Sequence, residues 1–291
     1  MNGSLKATVL IPTIRDRGPL LPYSVGSVLA QTVPDIEVFI MGDGVDDETR
    51  RAIRDLMQRD SRIKFFDNPK HERRGEPHRH AALAQARGEI VCYLCDRDLM
   101  LPNHVETMGR LLTHADFCHT LISRVMPNGS LRFDTEIDIG WPADRRWILS
   151  RSCVENSIPL SFAGHTLKMY RRLPHGWRTT PEGRYTDVYM WEQFLARPEC
   201  RTVSGTAPTI LYFPRPKTND WTVAQKLHEL RRWSELVAVP AGNEWILQKM
   251  IDRLAADRLE IARERRGWLS PLKRAYWNFR RLFPARSQVK S

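Results

Sequence analysis

Residues 36–44 have the sequence IEVFIMGDG, an apolar run that ends in a glycine–aspartate–glycine turn. A short apolar run bounded by turn residues is typical of a strand that is buried on both faces. Similar runs occur at 7–12 (ATVLIP), 63–66 and 89–94, and segments with helical spacing occur at 21–30, 46–58, 80–86 and 102–112. This alternation predicts an α/β fold in which helices flank a mostly parallel sheet.

Polar segments directly follow three of the predicted strands, at 13–17, 42–46 and 95–98. In open α/β sheets ligands bind beyond the carboxyl ends of the strands, so these three segments predict a single site. Strand ends are polar in most α/β proteins, and the hypothesis therefore depends on the particular side chains present.

The second half of the chain is organised differently. Asn128-Gly129 predicts a hairpin within 121–133, a loop-rich region with one helix near 186–196 follows, and the pattern is helical from Val223 with a break near Pro240. We predict that 1–120 and 121–220 are two halves of one domain and that 221–291 is a helical extension.

The composition limits the class of protein. The 291 residues are 42% hydrophobic and 27% charged, as in globular proteins. No run approaches the roughly 18 apolar residues that span a membrane, the N-terminus has no signal-peptide pattern, and five scattered cysteines do not form a disulfide framework. These features predict a cytoplasmic protein. The net charge of +11 comes mainly from residues 263–291, which hold nine basic residues and one acid.

Acidic residues at two strand ends are the first candidates. Asp96 and Asp98 have a spacing that could hold a divalent cation bridging a diphosphate. The alternative is a polar strand exit, since D-x-D is frequent by chance. Asp43 could accept a hydrogen bond from a nucleobase or ribose, or it could be an ordinary turn residue.

Two further candidates lie in predicted helices. Arg79 is predicted to open a helix after a basic loop, and a guanidinium suits a diphosphate or a base edge; the alternative is a solvated charge run. Asp187 is predicted in the first turn of a helix. It could be a general base that takes the proton of a hydroxyl, or an acid that only favours the helix dipole.

Several short segments follow one another in a recognisable order: 9–13 (VLIPT), 27–32 (SVLAQT), 35–38 (DIEV), 39–44 (FIMGDG), 79–83 (RHAAL), 88–90 (GEI), 96–98 with Pro102, and 187–191 (DVYMW). This order resembles family 2 glycosyltransferases of the GT-A fold, and in particular the spore-coat polysaccharide type. The resemblance is close in the N-terminal half, weak from about 120 to 215, and absent beyond 220.

The resemblance implies an inverting enzyme that transfers a sugar from a UDP-, GDP- or dTDP-sugar to a glycan or lipid-linked acceptor, in bacterial surface polysaccharide or glycoconjugate synthesis. It implies Mn²⁺ or Mg²⁺ as cofactor, donor binding by 1–120 and acceptor binding by 121–220. Asp187 would be the catalytic base, and Asp96 and Asp98 the metal ligands. The implied donor-binding residues are Pro12, Thr13, Arg15, Asp43, Arg79, Asp96 and Arg97.

Two positions depart from the family pattern. Gly42-Asp43 stands where the family often has two adjacent acids, which removes one ribose contact. Cys95 and Arg97 occupy positions that are often aspartate, and Arg97 corresponds to the usual metal-binding residue. Either Asp98 takes the metal role, or a cation is dispensable because Arg97 pairs with the diphosphate. The same departure motivates an alternative, a non-catalytic relative that binds a nucleotide or a partner.

The basic tail has its own alternatives. Its cations interleave with the aromatic and apolar residues Trp268, Leu269, Leu272, Tyr276, Trp277, Phe279, Leu282 and Phe283. This pattern suits an anionic membrane surface, which would place the protein peripherally at the inner face of the membrane; alternatively, the aromatic face packs on the body. Nucleic-acid binding by the tail would leave the strand-end acids unexplained, so no nucleic-acid partner is predicted.

Overall fold

A seven-stranded sheet organises the chain in the computed structural model, which describes residues 5–134, 137–151, 155–214 and 220–282, with Arg151, Arg265 and residues 267–282 described by their backbone alone. The strands are β1 (Leu5–Thr13), β2 (Ile36–Asp43), β3 (Ile63–Asn68), β4 (Gly88–Tyr93), β5 (Leu99–Met100), β6 (Phe117–His119), β7 (Ile122–Val125), β8 (Leu131–Asp134), β9 (Ala163–Thr166), β10 (Thr202–Ser204) and β11 (Ile210–Leu211).

The order in the large sheet is β10-β6-β9-β4-β1-β2-β3, and only β9 runs antiparallel to its neighbours. The prediction of a mostly parallel sheet is therefore confirmed. The strands β7 and β8 form an antiparallel hairpin whose turn contains Gly129 at φ 78°, as Asn128-Gly129 predicts.

Helices flank the sheet. They are α1 (Leu21–Leu29), α2 (Asp47–Arg59), α3 (Glu76–Leu83), α4 (His104–Leu112), α5 (Pro142–Arg151), α6 (Leu167–Tyr170), α7 (Thr186–Leu195), α8 (Val223–Ala238) and α9 (Pro240–Leu282). Alternate residues of β1 enter different cores: Val9 and Ile11 belong to one buried cluster and Leu10 to another. Period-2 alternation on a strand buried on both faces explains this division.

Two helix starts differ from the prediction. The helix α3 begins at Glu76, not near 80, so Arg79 lies within the helix rather than opening it. Gly75 precedes it in the left-handed conformation (φ 68°), and Pro77 is tolerated because a first-turn residue needs no N–H partner. The helix α4 begins at His104, so Pro102 lies before it and not in its first turn.

The C-terminal part of the chain is helical, as predicted. Thr222 and Gln225 form a reciprocal capping box at the start of α8. The chain divides into two compact units, 1–246 and 247–291, and the described part of the second unit is the continuation of α9. The tail side chains predicted to meet a membrane lie outside the described side chains. Among the described helices, none combines the length and the apolar character that crossing a membrane requires.

Candidate active site

The carboxyl ends of β4, β1 and β2 meet at one rim of the sheet. These strands are adjacent and parallel, and their register places Thr13 beside Gly42. A cleft of about 460 Å³ lies at this rim. Its lining includes Pro12, Thr13, Asp43, Lys70, Arg73, Arg74, Arg79, Cys95, Arg97, Asp98, Asn156, Leu160, Asp187, Tyr212 and Phe213. Residues that are far apart in the chain therefore share a single cavity.

Asp187 lies in the first turn of α7, and its carboxylate is held on one side. The Asn156 side-chain amide donates to Asp187 Oδ2 at 3.0 Å, and the Leu160 backbone N–H donates to the same oxygen at 3.1 Å. Trp191 fixes the helix, because its buried ring packs on Tyr93 and its Nε1 donates to the Ile158 carbonyl at 2.9 Å. The core therefore positions Asp187 through both α7 and the segment that faces it.

Asp43 is buried at the end of β2 and contacts the basic loop that precedes α3. The Lys70 ammonium lies 2.7 Å from Asp43 Oδ2, and the His71 backbone N–H donates to Oδ1 at 2.6 Å. Gly75 approaches this carboxylate so closely that a Cβ there would lie 3.2 Å from Asp43 atoms. Asp43 thus holds the basic loop against the cleft.

Arg79 is a buried cation in the cleft wall. Its guanidinium lies over the Trp177 ring, 4.7 Å from the centroid, and one nitrogen donates to the Arg74 carbonyl at 3.0 Å. Within the described part of the chain, its Nε and Nη1 atoms are buried without a hydrogen-bond partner. Burial lowers the pKa of Arg79, although the charges of Asp187 and Glu76 oppose this shift. A bound anion would satisfy the remaining donors.

Glu76 is a buried carboxylate that holds the segments around Arg79 together. Burial alone would raise the pKa of Glu76, but hydrogen bonds outweigh burial and the pKa is lowered. The Arg74 and Thr180 backbone N–H groups donate to this carboxylate at 3.0 and 3.3 Å. A buried ionised Glu76 therefore connects the basic loop to the residues that precede α7.

Asp96 and Asp98 have different surroundings. Asp96 is buried, accepts a hydrogen bond from the Thr13 hydroxyl at 3.2 Å and lies 3.3 Å from the Arg17 guanidinium, and it is absent from the lining of the cleft. Asp98 lines the cleft, where the Ser161 hydroxyl donates to it at 2.5 Å and the Phe213 N–H at 3.2 Å. Of the two predicted metal ligands, Asp98 is the one that faces the cavity.

Arg97 lines the cleft and forms an ion pair with α8. Its Nη2 lies 2.7 Å from Glu229 Oε2, and the two side chains are only 4% and 11% exposed. The guanidinium also lies over the rings of Phe213 and Trp221, at 5.9 and 5.8 Å. Burial lowers the pKa of Arg97 and raises that of Glu229, because both charges are withdrawn from water.

Most of the predicted residues come together in this cleft. Pro12, Thr13, Asp43, Arg79, Arg97, Asp98 and Asp187 line it. Arg15 is exposed beside Asp16 and lies outside the lining, as does Asp96. Sequence reasoning missed Asn156, Ser161 and Glu229, which belong to segments with no recognisable motif.

The match to the Glycosyl transferase family 2 model covers residues 8–174. The chain belongs to glycosyltransferase family 2. This match includes every predicted site residue except Asp187, which lies beyond its C-terminal end.

A curated relative is the GalNAc(5)-diNAcBac-PP-undecaprenol β-1,3-glucosyltransferase of Campylobacter jejuni, which is 31% identical over 103 residues. That alignment covers 35% of this chain and 33% of the Campylobacter enzyme, so the chain spans about a third of its relative.

Solved structures show the same fold. TarS 1–349 of S. aureus, in complex with UDP-GlcNAc, is 16% identical with a TM-score of 0.56, and the match covers 85% of this chain and 72% of that one. The mannosyltransferase PcManGT of Pyrobaculum calidifontis, in complex with GDP-Man and Mn²⁺, is 17% identical with a TM-score of 0.53, and the match covers 96% and 84%. The family and these likenesses confirm the GT-A fold of this chain.

Proposed function

We propose that this chain transfers a sugar from a nucleotide-diphosphate sugar to an acceptor hydroxyl, with inversion at the anomeric carbon. The observation that carries the proposal is the meeting of Asp43, Asp98 and Asp187 in a cleft that also contains the buried Arg79. Family membership and the fold shared with structures that hold UDP-GlcNAc or GDP-Man support a nucleotide-sugar donor.

The geometry supplies both halves of the reaction. Among the described residues, both hydrogen bonds to Asp187 fall on Oδ2, so Oδ1 is available to accept the proton of the acceptor hydroxyl. The hydroxyl oxygen then bonds to the anomeric carbon while the bond from that carbon to the diphosphate oxygen breaks. Negative charge grows on the departing diphosphate, where Arg79, Arg97 and the cations of the basic loop stabilise it.

Of the two predicted metal ligands, Asp98 is the one placed to hold a divalent cation in this cleft. Mg²⁺ and Mn²⁺ commonly take one or two carboxylates together with substrate phosphates, and Asp98 is the predicted ligand that lines the cavity. Asp96 faces Thr13 and Arg17 instead, and no group of three His, Cys, Asp or Glu side chains that could hold a metal occurs in the described ranges. A bound Mn²⁺ would neutralise phosphate charge beside Asp98, a task that Arg97 shares.

Donor binding is the direct test of the proposal. In a thermal-shift panel of UDP-, GDP- and dTDP-sugars, with and without Mn²⁺, at least one donor is expected to raise the Tm, because binding stabilises the folded state. Arg79→Met should weaken the binding of that nucleotide sugar about 10- to 100-fold, because a buried, charged hydrogen bond to phosphate is lost. Arg54→Met on the exposed face of α2 is the control. Failure of every nucleotide sugar to bind would refute the proposal.

We also propose a lipid-linked acceptor at the inner face of the membrane. The Campylobacter relative is named for a lipid-linked acceptor, and the nine cations of 263–291 interleave with aromatic residues. The full chain is expected to bind vesicles that contain anionic lipid, and a chain that ends at Gly267 is expected to lose this binding. Equal vesicle sedimentation of the two chains would contradict the proposed role of the tail.

A further inference from the structure

A second cavity lies beside the active-site cleft. It has a volume of about 570 Å³ and lies between the β7–β8 hairpin and α5, and we call it the hairpin pocket. Its lining includes Arg124 and Asp134 from the hairpin and Asp144 and Trp147 from α5. The pocket lies in the part of the chain that follows residues 1–120, and there the resemblance to the family is weak.

Two contacts connect the hairpin pocket to the cleft. Asn156 lines both cavities, and its amide donates to the catalytic Asp187 at 3.0 Å. Arg124 of the pocket also lies over the ring of Tyr212, 5.4 Å from the centroid, and Tyr212 lines the cleft. A molecule that occupies the pocket and extends past Asn156 therefore reaches the proposed base.

The walls of the pocket suit an uncharged sugar. Trp147 is 39% exposed, so part of its flat apolar ring can cover the C–H face of a pyranose. The carboxylates of Asp134 and Asp144 can accept hydrogen bonds from hydroxyls. A phosphate is disfavoured, because Arg124 is already paired with Asp134 at 2.5 Å and the lining holds two basic and three acidic residues. Burial also lowers the pKa of the lining His119, which disfavours a further positive charge in the pocket.

We propose that the hairpin pocket binds the terminal, uncharged sugar of the acceptor and presents its hydroxyl to Asp187. The proposal rests on the proposed function and deepens it, since it names the acceptor chemistry and the residues that select it. Trp147 is assigned as a specificity-determining residue that contacts the acceptor sugar. Its replacement should leave donor binding unchanged.

The test uses the full chain and saturation-transfer NMR with three probes: methyl β-D-glucopyranoside, methyl β-D-galactopyranoside and glucose 6-phosphate. At least one neutral glycoside is expected to bind the wild type more tightly than the phosphorylated sugar. Trp147→Ala should weaken the binding of the neutral glycoside about tenfold, because the contact with the indole ring is lost. Trp141→Ala is the matched control, since Trp141 is 60% exposed and lies outside the pocket.

Three outcomes would overturn the proposal: no neutral glycoside binding to the wild type, equal binding by the two tryptophan variants, or tighter binding of glucose 6-phosphate. Donor binding is measured on the same samples by titration with the nucleotide sugar that stabilises the wild type. If the wild type binds the donor but no neutral glycoside, the hairpin-pocket proposal is refuted and the proposed function is not. Failure of donor binding in the wild type refutes the proposed function instead.

Discussion

Asp187→Asn is expected to lower the turnover number for sugar transfer by about 10²- to 10⁴-fold, the usual contribution of a positioned general base. The amide has nearly the same shape as the carboxylate but cannot take a proton from the acceptor hydroxyl. Its oxygen can still accept hydrogen bonds from Asn156 and from the Leu160 N–H, the two donors that hold Asp187 in place. The fold and donor binding should therefore change little.

The measurement is the steady-state rate of nucleoside diphosphate release with acceptor present, together with the Kd of the donor. Glu182→Gln is the control, because Glu182 is an exposed acid five residues before Asp187 and does not line the cleft. A variant that keeps more than about a tenth of wild-type turnover would contradict the role of base. Equal losses of turnover, donor binding and Tm would indicate a structural role.

The rim of the sheet could be predicted because the positions of the strands follow from local pattern. Apolar runs at β1, β2 and β4 fix the strands, and parallel neighbours bring their carboxyl ends together. This is why Thr13, Asp43 and Asp98 share a cleft, as the sequence indicates. The position of Asp187 beside them could not follow from periodicity, since it requires α7 to pack through Trp191 on Tyr93. Only the family resemblance indicated it.

Side-chain direction in loops is what the sequence could not provide. Asp96 and Asp98 are equivalent in the sequence, but the turn after β4 buries Asp96 against Thr13 and directs Asp98 to the cleft. The partner of Arg97 was equally hidden, because Glu229 lies 132 residues further along, on a helix beyond any resemblance to the family. Ion pairs between residues so far apart in the chain depend on tertiary packing, which local sequence patterns do not reveal.

Replacing Glu229 with glutamine is expected to destabilise the protein by about 3–5 kcal/mol, which corresponds to a Tm lower by roughly 6 to 20 °C. The change removes one partner of a buried ion pair and with it the largest compensating charge near Arg97. Glu235→Gln on the same helix is the control, because its pair with Arg231 is 64% to 67% exposed, so water screens it and its loss should change the Tm little. The double variant Arg97→Met with Glu229→Met should recover much of the loss, since neither position of the buried pair then carries a charge.

Donor affinity should change in the opposite direction to stability in the same Glu229→Gln variant. Arg97 lines the cleft, and Glu229 neutralises it there. Without that carboxylate the cleft is more positive, so a nucleoside diphosphate should bind several-fold more tightly even though the fold is weaker. Calorimetric titration well below the Tm measures this directly. If Glu229 only supported the fold, affinity would fall together with stability, and that result would exclude Arg97 as a cation that serves the diphosphate.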